Sequence, residues 1–443
     1  MSKPQSLQPI ASMAFASAAF ATRHRPRLSS LISGLALACA ALTGCGGGES
    51  PPAAPEVIPA PTPAPAPAPA PVPPGMRPPP AGTLDLSPAK VNLGQMVFND
   101  PRFSASGAMS CATCHIKANA HADAPGGFLP LGGPTLLSQG LRSSPTLHYL
   151  DTNPSFRIEN GQASGGFTWD GRADDRVAQA EGPFFAAAEM AAKDVAEVAT
   201  KMRQAPYFAN LMTTFGKATT ASDNEVFEIM KVAIATYEAG DADYHPFTSR
   251  FDAVLDGKAT LTTQEARGLA LFNSPNKGNC AACHSSAGDA KNRPVFTNFS
   301  YAALGVPRNT STAARSDPNF FDLGLCGPVR TDLAHRAELC GQFKTPTLRN
   351  AALTAPYFHN AAINTLDEAV AFHITRDTDP GRWFPTANGQ VQKFNDLPPA
   401  YQRNVTRVAP FNRSLGQMPA LSDAEIADVV AFLKTLTDAP PAP

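Results

Sequence analysis

Apolar residues recur at helical spacing in several separated windows of the chain, while strict apolar/polar alternation is scarce. Val226 to Ala239 and Asp423 to Leu436 both carry the repeat of an amphipathic helix. The second follows Ser422, with Glu425 three residues on, a reciprocal capping pair. Two shorter patterns, Leu93-Gly-Gln-Met-Val-Phe98 and Gly268-Leu-Ala-Leu-Phe272, resemble one another, and each stands ahead of a cysteine cluster. Leu366, Val370 and His373 share one face of a further helix. The patterning predicts a mainly α fold built twice over, each time from a short leading helix, a chemical motif and a closing helix. Gly240 suits the end of the first closing helix, and Leu261-Thr-Thr-Gln-Glu265 reads as a fresh helix start. The two domains are therefore expected at 85–257 and 258–443.

Upstream of residue 85 the patterning changes. Arg23, Arg25 and Arg27 precede a mostly apolar run from Leu31 to Leu42, which ends at Leu42-Thr-Gly-Cys45. Roughly twelve apolar residues are too few to span a bilayer and suit a secretory leader. Residues 1–45 read as a lipoprotein signal peptide in which Cys45 is lipidated after cleavage; an ordinary signal peptide cut nearby is the alternative. The basic region starts late, so Met13 is a candidate translation start. Gly46 follows Cys45, without an Asp retention signal, so the lipid is expected to tether the protein at the periplasmic face of the outer membrane. Residues 46–84 form a Pro/Ala-rich linker, almost pure Pro and Ala from Pro51 to Pro80. Such a tract favours polyproline II and would reach roughly 90 Å when extended. It reads as a stalk, or as a spacer of no specific reach. A net charge of −1 over 443 residues gives no argument for a nucleic-acid partner.

The two cysteine clusters are Cys111-Ala-Thr-Cys114-His115 and Cys280-Ala-Ala-Cys283-His284. Cys-x-x-Cys-His is the attachment signature of c-type haem, in which both thiols bind the cofactor and the adjacent His ligates iron. A zinc site built from two such pairs would leave both histidines unexplained. Of the eight cysteines, Cys39 falls in the leader, Cys45 takes lipid and four hold haem. Cys326 and Cys340 remain, and an oxidising compartment favours a disulfide between them, two free buried thiols being the alternative.

A haem closed on both faces carries electrons, whereas an open one binds peroxide. In the second domain His335, His359, His373 and Met418 are the candidate sixth ligands; Met418, in Gln-Met-Pro ahead of the final helix, has the position of the distal Met in single-haem cytochromes. Phe343-Lys-Thr-Pro-Thr-Leu-Arg-Asn350, Leu353-Thr-Ala-Pro-Tyr-Phe-His359 and Phe167-Thr-Trp-Asp-Gly-Arg172, taken with the two haem motifs, resemble the bacterial dihaem cytochrome c peroxidase and MauG superfamily. The resemblance covers almost everything after residue 85. Thr375-Arg-Asp-Thr-Asp-Pro380 and the Cys326/Cys340 region look closer to the MauG-like branch.

The resemblance implies a fold of two packed cytochrome c domains and a function. It places the sixth ligand of the second haem at His373, where relatives carry Met or Tyr, and so implies bis-histidine ligation. Glu189 is implied as the acid/base that moves a proton between the peroxide oxygens, with Gln179 and Pro183 beside it and Trp169 lying between the haems as an electron relay. Glu189 stands in an Ala-rich stretch that by itself reads as a solvated helix. His121 and His148 do not occupy the position of the histidine that blocks the first haem in many relatives, so an open first haem is expected. One Ca2+ is implied at the carbonyls of Thr354 and Pro356, with Ser143 where the family's Asn ligand falls. The implied enzyme reduces hydrogen peroxide with electrons from a small cytochrome, a copper protein or a quinol pathway. Oxidation of a partner protein, as by MauG, is the second reading, although Gly278 stands where that relative has a surface tryptophan. A non-enzymatic carrier is the third.

Overall fold

The computed structural model describes residues 84–440, apart from 125 and 127. The leader, Cys45 and the Pro/Ala tract lie outside the described residues.

Four helices define a repeat. Pro88–Asn99 leads and Asp223–Gly240 closes the first half; Thr263–Asn273 leads and Asp423–Lys434 closes the second. Local chemistry fixes where three of them start. Ser222, Thr262 and Ser422 are N-caps, each exchanging side-chain and backbone bonds with a Glu three residues later. The first closing helix is longer than its apolar pattern because the capping turn is itself helical. The second stops at Lys434, short of Leu436.

In each half the leading helix crosses its closing helix at a glycine. A Cβ on Gly94 would collide with the Ala233 carbonyl and come within 2.8 Å of Tyr237 Cβ. A Cβ on Gly268 would collide with the Asp428 carbonyl and come within 2.9 Å of Phe432 Cβ. Four residues after each glycine stands a buried phenylalanine, edge-on to that same aromatic: Phe98 on Tyr237 and Phe272 on Phe432, both with centroids 5.4 Å apart. The small residue allows close approach of the backbones, and the Phe seals the crossing. These contacts anchor two cores, one around Phe98, Phe184, Met230 and Tyr237 and the other around Phe272, Phe296, Phe432 and Leu433.

The sheets are small. Four antiparallel two-stranded pairs occur among the described residues. One pairs Tyr301–Ala302 with Phe343–Lys344, in the register Tyr301 to Lys344. The fold is thus mostly helical. Much of the rest is loop, pinned by side-chain bonds to backbone, and no helix among the described residues is long and apolar enough to cross a membrane.

Candidate haem sites and the bridge between them

Both haem motifs end in a histidine with a defined tautomer. His115 Nδ1 lies 2.9 Å from the carbonyl oxygen of His121, and His284 Nδ1 lies 3.1 Å from that of Phe296. A carbonyl only accepts, so the ring proton sits on Nδ1 and the Nε2 lone pair is left for a metal. Burial depresses both imidazole pKa values, that of His284 to about 4, which keeps the rings neutral. His373 is prepared in the same way. Its Nδ1 donates to the Ala369 carbonyl one turn back, at 2.7 Å, and burial lowers its pKa. Paired thiols next to a ligand-ready imidazole are the donor set that haem c requires, and they occur twice.

His284 and His373 line one cavity together with Cys280, Cys283, Val370 and Leu433. Phe358 and Phe411 flank the His373 ring at centroid distances of 5.7 and 5.6 Å. The other candidate ligands fall elsewhere. Met418 is 80% exposed and does not line the cavity, and His335 is exposed. His359 is buried at the cavity wall, stacked on Phe343 at 3.5 Å, with no hydrogen-bond partner for its Nε2.

The first motif lies in a different setting. Glu189 is half-buried and close enough for its charge to act on both Cys111 and Cys114. Burial raises its carboxyl pKa, and Arg172 opposes the rise. Its backbone is not helical, contrary to the Ala-rich pattern. The helix Gly182–Phe185 ends at an extended Ala186, and Glu189 sits in the turn that follows. Tertiary contacts override the propensity of alanine here. Met190 N bonds back to the Pro183 carbonyl, the Glu189 carbonyl accepts from Gly133 at 2.8 Å, and Met190 is drawn into the first core. Gln179 ends the short helix Arg176–Gln179 and is half-buried, as is Pro183.

His121 and His148 sit behind His115. The His121 carbonyl takes the His115 Nδ1 proton, and the His121 ring bonds His148 at 3.0 Å and stacks on Tyr244 at 4.4 Å. Sequence reasoning missed Glu238, a buried carboxylate on the closing helix whose pKa burial raises to about 7 against the pull of Arg176. Only its place on the inner face of an otherwise apolar helix could have signalled it.

Trp169 joins the two halves. Its indole Nε1 donates to the Ser143 carbonyl at 2.8 Å, its own carbonyl accepts from Lys344 N at 2.9 Å, and its ring meets His359 edge-on at 6.5 Å. It lines the same cavity as His284. The next residue, Asp170, is fully buried and takes bonds from Arg142 at 2.8 Å, Arg172 at 2.9 Å and the Thr168 hydroxyl at 2.6 Å. Burial alone would raise its pKa, but Arg142 and then Arg172 outweigh that and hold it at about 2. Arg142 reaches on to Asp322, and Arg315 links Asp322 to Asp396. The Trp-Asp-Gly-Arg motif therefore fixes the tryptophan through a buried charge lattice.

Thr354 and Pro356 line this cavity beside Ser143. Neither carbonyl accepts a hydrogen bond among the described residues, so both remain available as hard oxygen donors. The Ser143 hydroxyl is a weaker third donor and already donates to the Phe358 carbonyl at 2.9 Å. Cys326 and Cys340 are bonded, with Cα atoms 5.0 Å apart, in a small core with Leu325 and Leu339.

Two helical halves, each with a thiol pair and a ligand-ready imidazole, and a half-buried tryptophan lining the second cavity, define a dihaem c-type protein. A family model described as di-haem cytochrome c peroxidase matches residues 88–260. The methylamine utilization protein MauG of Paracoccus denitrificans is 34% identical over 382 residues, covering 81% of this chain and 92% of that protein. The cytochrome c551 peroxidase of Nitrosomonas europaea is 30% identical, covering 78% of this chain and 79% of that one. The crystal structure of the diheme peroxidase BthA from Burkholderia thailandensis superposes with a TM-score of 0.73 at 37% identity, over 80% of this chain and 87% of that one. The chain belongs to the di-haem cytochrome c peroxidase and MauG family, and it is an oxidoreductase.

Proposed function

We propose that this enzyme reduces hydrogen peroxide to two waters at the His115 haem, drawing two electrons through the His284/His373 haem and taking up two protons. The observation that carries the reading is the asymmetry of the two sites. A second imidazole, His373, shares the cavity of His284, whereas a half-buried carboxylate, Glu189, lies by the Cys111/Cys114 motif. The haems supply peroxide binding and electron storage. With peroxide held at that haem, Glu189 would take a proton from one oxygen and return it to the other, so that the departing oxygen would leave as water. Burial raises its pKa, which favours its holding the proton in transit, and Arg172 opposes the rise. Gln179 orients the bound oxygens, and Pro183 fixes the turn that presents Glu189. Trp169 relays electrons between the two sites.

The remaining assignments complete the proposal. The halves divide near residue 258, one Ca2+ sits at Thr354 and Pro356, and Cys45 anchors the protein in the periplasm through its Pro/Ala stalk. Protein oxidation of the MauG kind is the second reading, on the strength of the relatives that carry that name. Against it, Gly278 is buried with the Leu271 carbonyl 2.8 Å from where a Cβ would lie, so a side chain there would force the backbone to shift.

Peroxide loss by the fully oxidised holoprotein, with a reducing dye and no pre-reduction, tests the reading. Repeated turnover is expected, falling ~10²–10⁴-fold in Glu189→Gln. A single equivalent consumed, leaving a long-lived oxidised spectrum, would favour a protein substrate. Equal turnover by wild type and Glu189→Gln would remove Glu189 from the mechanism.

A further inference from the structure

Among the described residues, the buried cations have acidic partners. Arg142 and Arg315 share Asp322, Arg349 has Asp252, Arg376 has Asp377, and Lys231 has Glu181 and Glu228. Lys344 differs. Its ammonium donates to the Gly166 carbonyl and lies 5.5 and 5.2 Å from the ring centroids of Phe167 and Phe299, and it forms no ion pair among the described residues. Burial, with no charged neighbour to oppose it, draws its pKa down to about 7. An ammonium held against two aromatic rings with no anion beside it favours a carboxylate partner.

The anion is implied by what Lys344 lines. Its strand, Phe343–Lys344, forms part of the wall of the cavity that holds Cys280, Cys283, His284 and His373. Haem c is attached through its vinyl groups and bound through its iron, so its two propionates are the carboxylates it brings into the protein. Two other nearby cations, Arg142 and Arg315, are already committed to Asp170, Asp322 and Asp396.

We propose that the Lys344 ammonium is the counter-ion of a propionate on the haem attached at Cys280 and Cys283, and that it raises the reduction potential of that haem. The Gly166 carbonyl bond gives way to a charge-assisted bond with the carboxylate. A fixed positive charge disfavours the ferric state, which carries one more positive charge than the ferrous. Because the Lys344 backbone N–H also holds the Trp169 carbonyl, the propionate edge and the tryptophan are positioned by one residue.

Spectroelectrochemical titration of the holoprotein tests this in wild type, Lys344→Met, Lys344→Gln and Lys344→Arg, the ferric low-spin spectrum first confirming that the second haem is seated. The midpoint potential of the low-spin haem is expected to fall in the Met and Gln variants and to stay at the wild-type value in the Arg variant, with the His115 haem unchanged. The two neutral variants guard against a folding failure in either one. An unchanged low-spin potential in both, a shift confined to the His115 haem, or an Arg variant that behaves like Met would each overturn the assignment. None of these outcomes depends on the peroxide substrate.

Discussion

Asp170→Asn should loosen the tryptophan bridge at a calculable cost. Asp170 is fully buried and accepts from Arg142, Arg172 and Thr168. Its pKa is held at about 2 against an ordinary 3.8, which corresponds to about 2 kcal/mol favouring the folded state near neutral pH. The variant keeps the shape, and Arg142 keeps Asp322, so a loss of about 2–3 kcal/mol is expected rather than the ~3–5 kcal/mol of a buried charge left wholly unpaired. The sign of the pH dependence follows. A carboxylate with a depressed folded pKa stabilises fully above its unfolded pKa, and that stabilisation is lost as the pH falls through 3.8 toward about 2. At pH 3 about half of it remains, roughly 1 kcal/mol. Urea unfolding of the ferric holoprotein, followed by far-UV circular dichroism at pH 6 and pH 3, measures the difference between wild type and variant. A loss below about 0.5 kcal/mol at pH 6, or an equal loss at both pH values, would refute the hub role of Asp170.

Further outcomes follow from the same contacts. His373→Ala should abolish the low-spin ferric signal of the second haem, read by electron paramagnetic resonance, and an unchanged signal would remove His373 as the ligand. Replacing Cys326 and Cys340 together by Ser opens a loop with a sequence separation of 14 and should lower unfolding stability by about 3 kcal/mol, while peroxide turnover of the folded protein holds. Gly268→Ala forces a Cβ against the Asp428 carbonyl and should cost about 1–3 kcal/mol or more, visible as a lowered melting temperature.

Much of the scaffold was legible because it is locally encoded. The helical period, the Ser422/Glu425 cap and the Leu261–Glu265 start are each decided within a few residues, and they locate helices to within a turn. The haem motifs are equally local. The likeness of the two leading segments pointed to a repeat, but not to Gly94 and Gly268 as crossing points, because that depends on carbonyls more than 130 residues away. Glu189 shows the opposite failure. Its alanine neighbours favour helix, but bonds from Gly133 and to Pro183 impose a turn, and no window around residue 189 contains that information. Met418 looked like a ligand by position alone, and only the path of the chain puts it in solvent. The charge lattice of Arg142, Asp170, Asp322, Arg315 and Asp396 is assembled from residues scattered over much of the chain, and the isolation of Lys344 is visible only once every other charge has been placed.

The central claim is that one haem is open and the other closed by His373. Electron paramagnetic resonance of the fully oxidised holoprotein at neutral pH, with no reductant added, tests it most directly. The account predicts one high-spin ferric signal, converted to low spin by added cyanide, and one low-spin signal of bis-histidine character that cyanide leaves unchanged. Two low-spin signals unaffected by cyanide would contradict it, and would mark the protein as an electron carrier in its resting state.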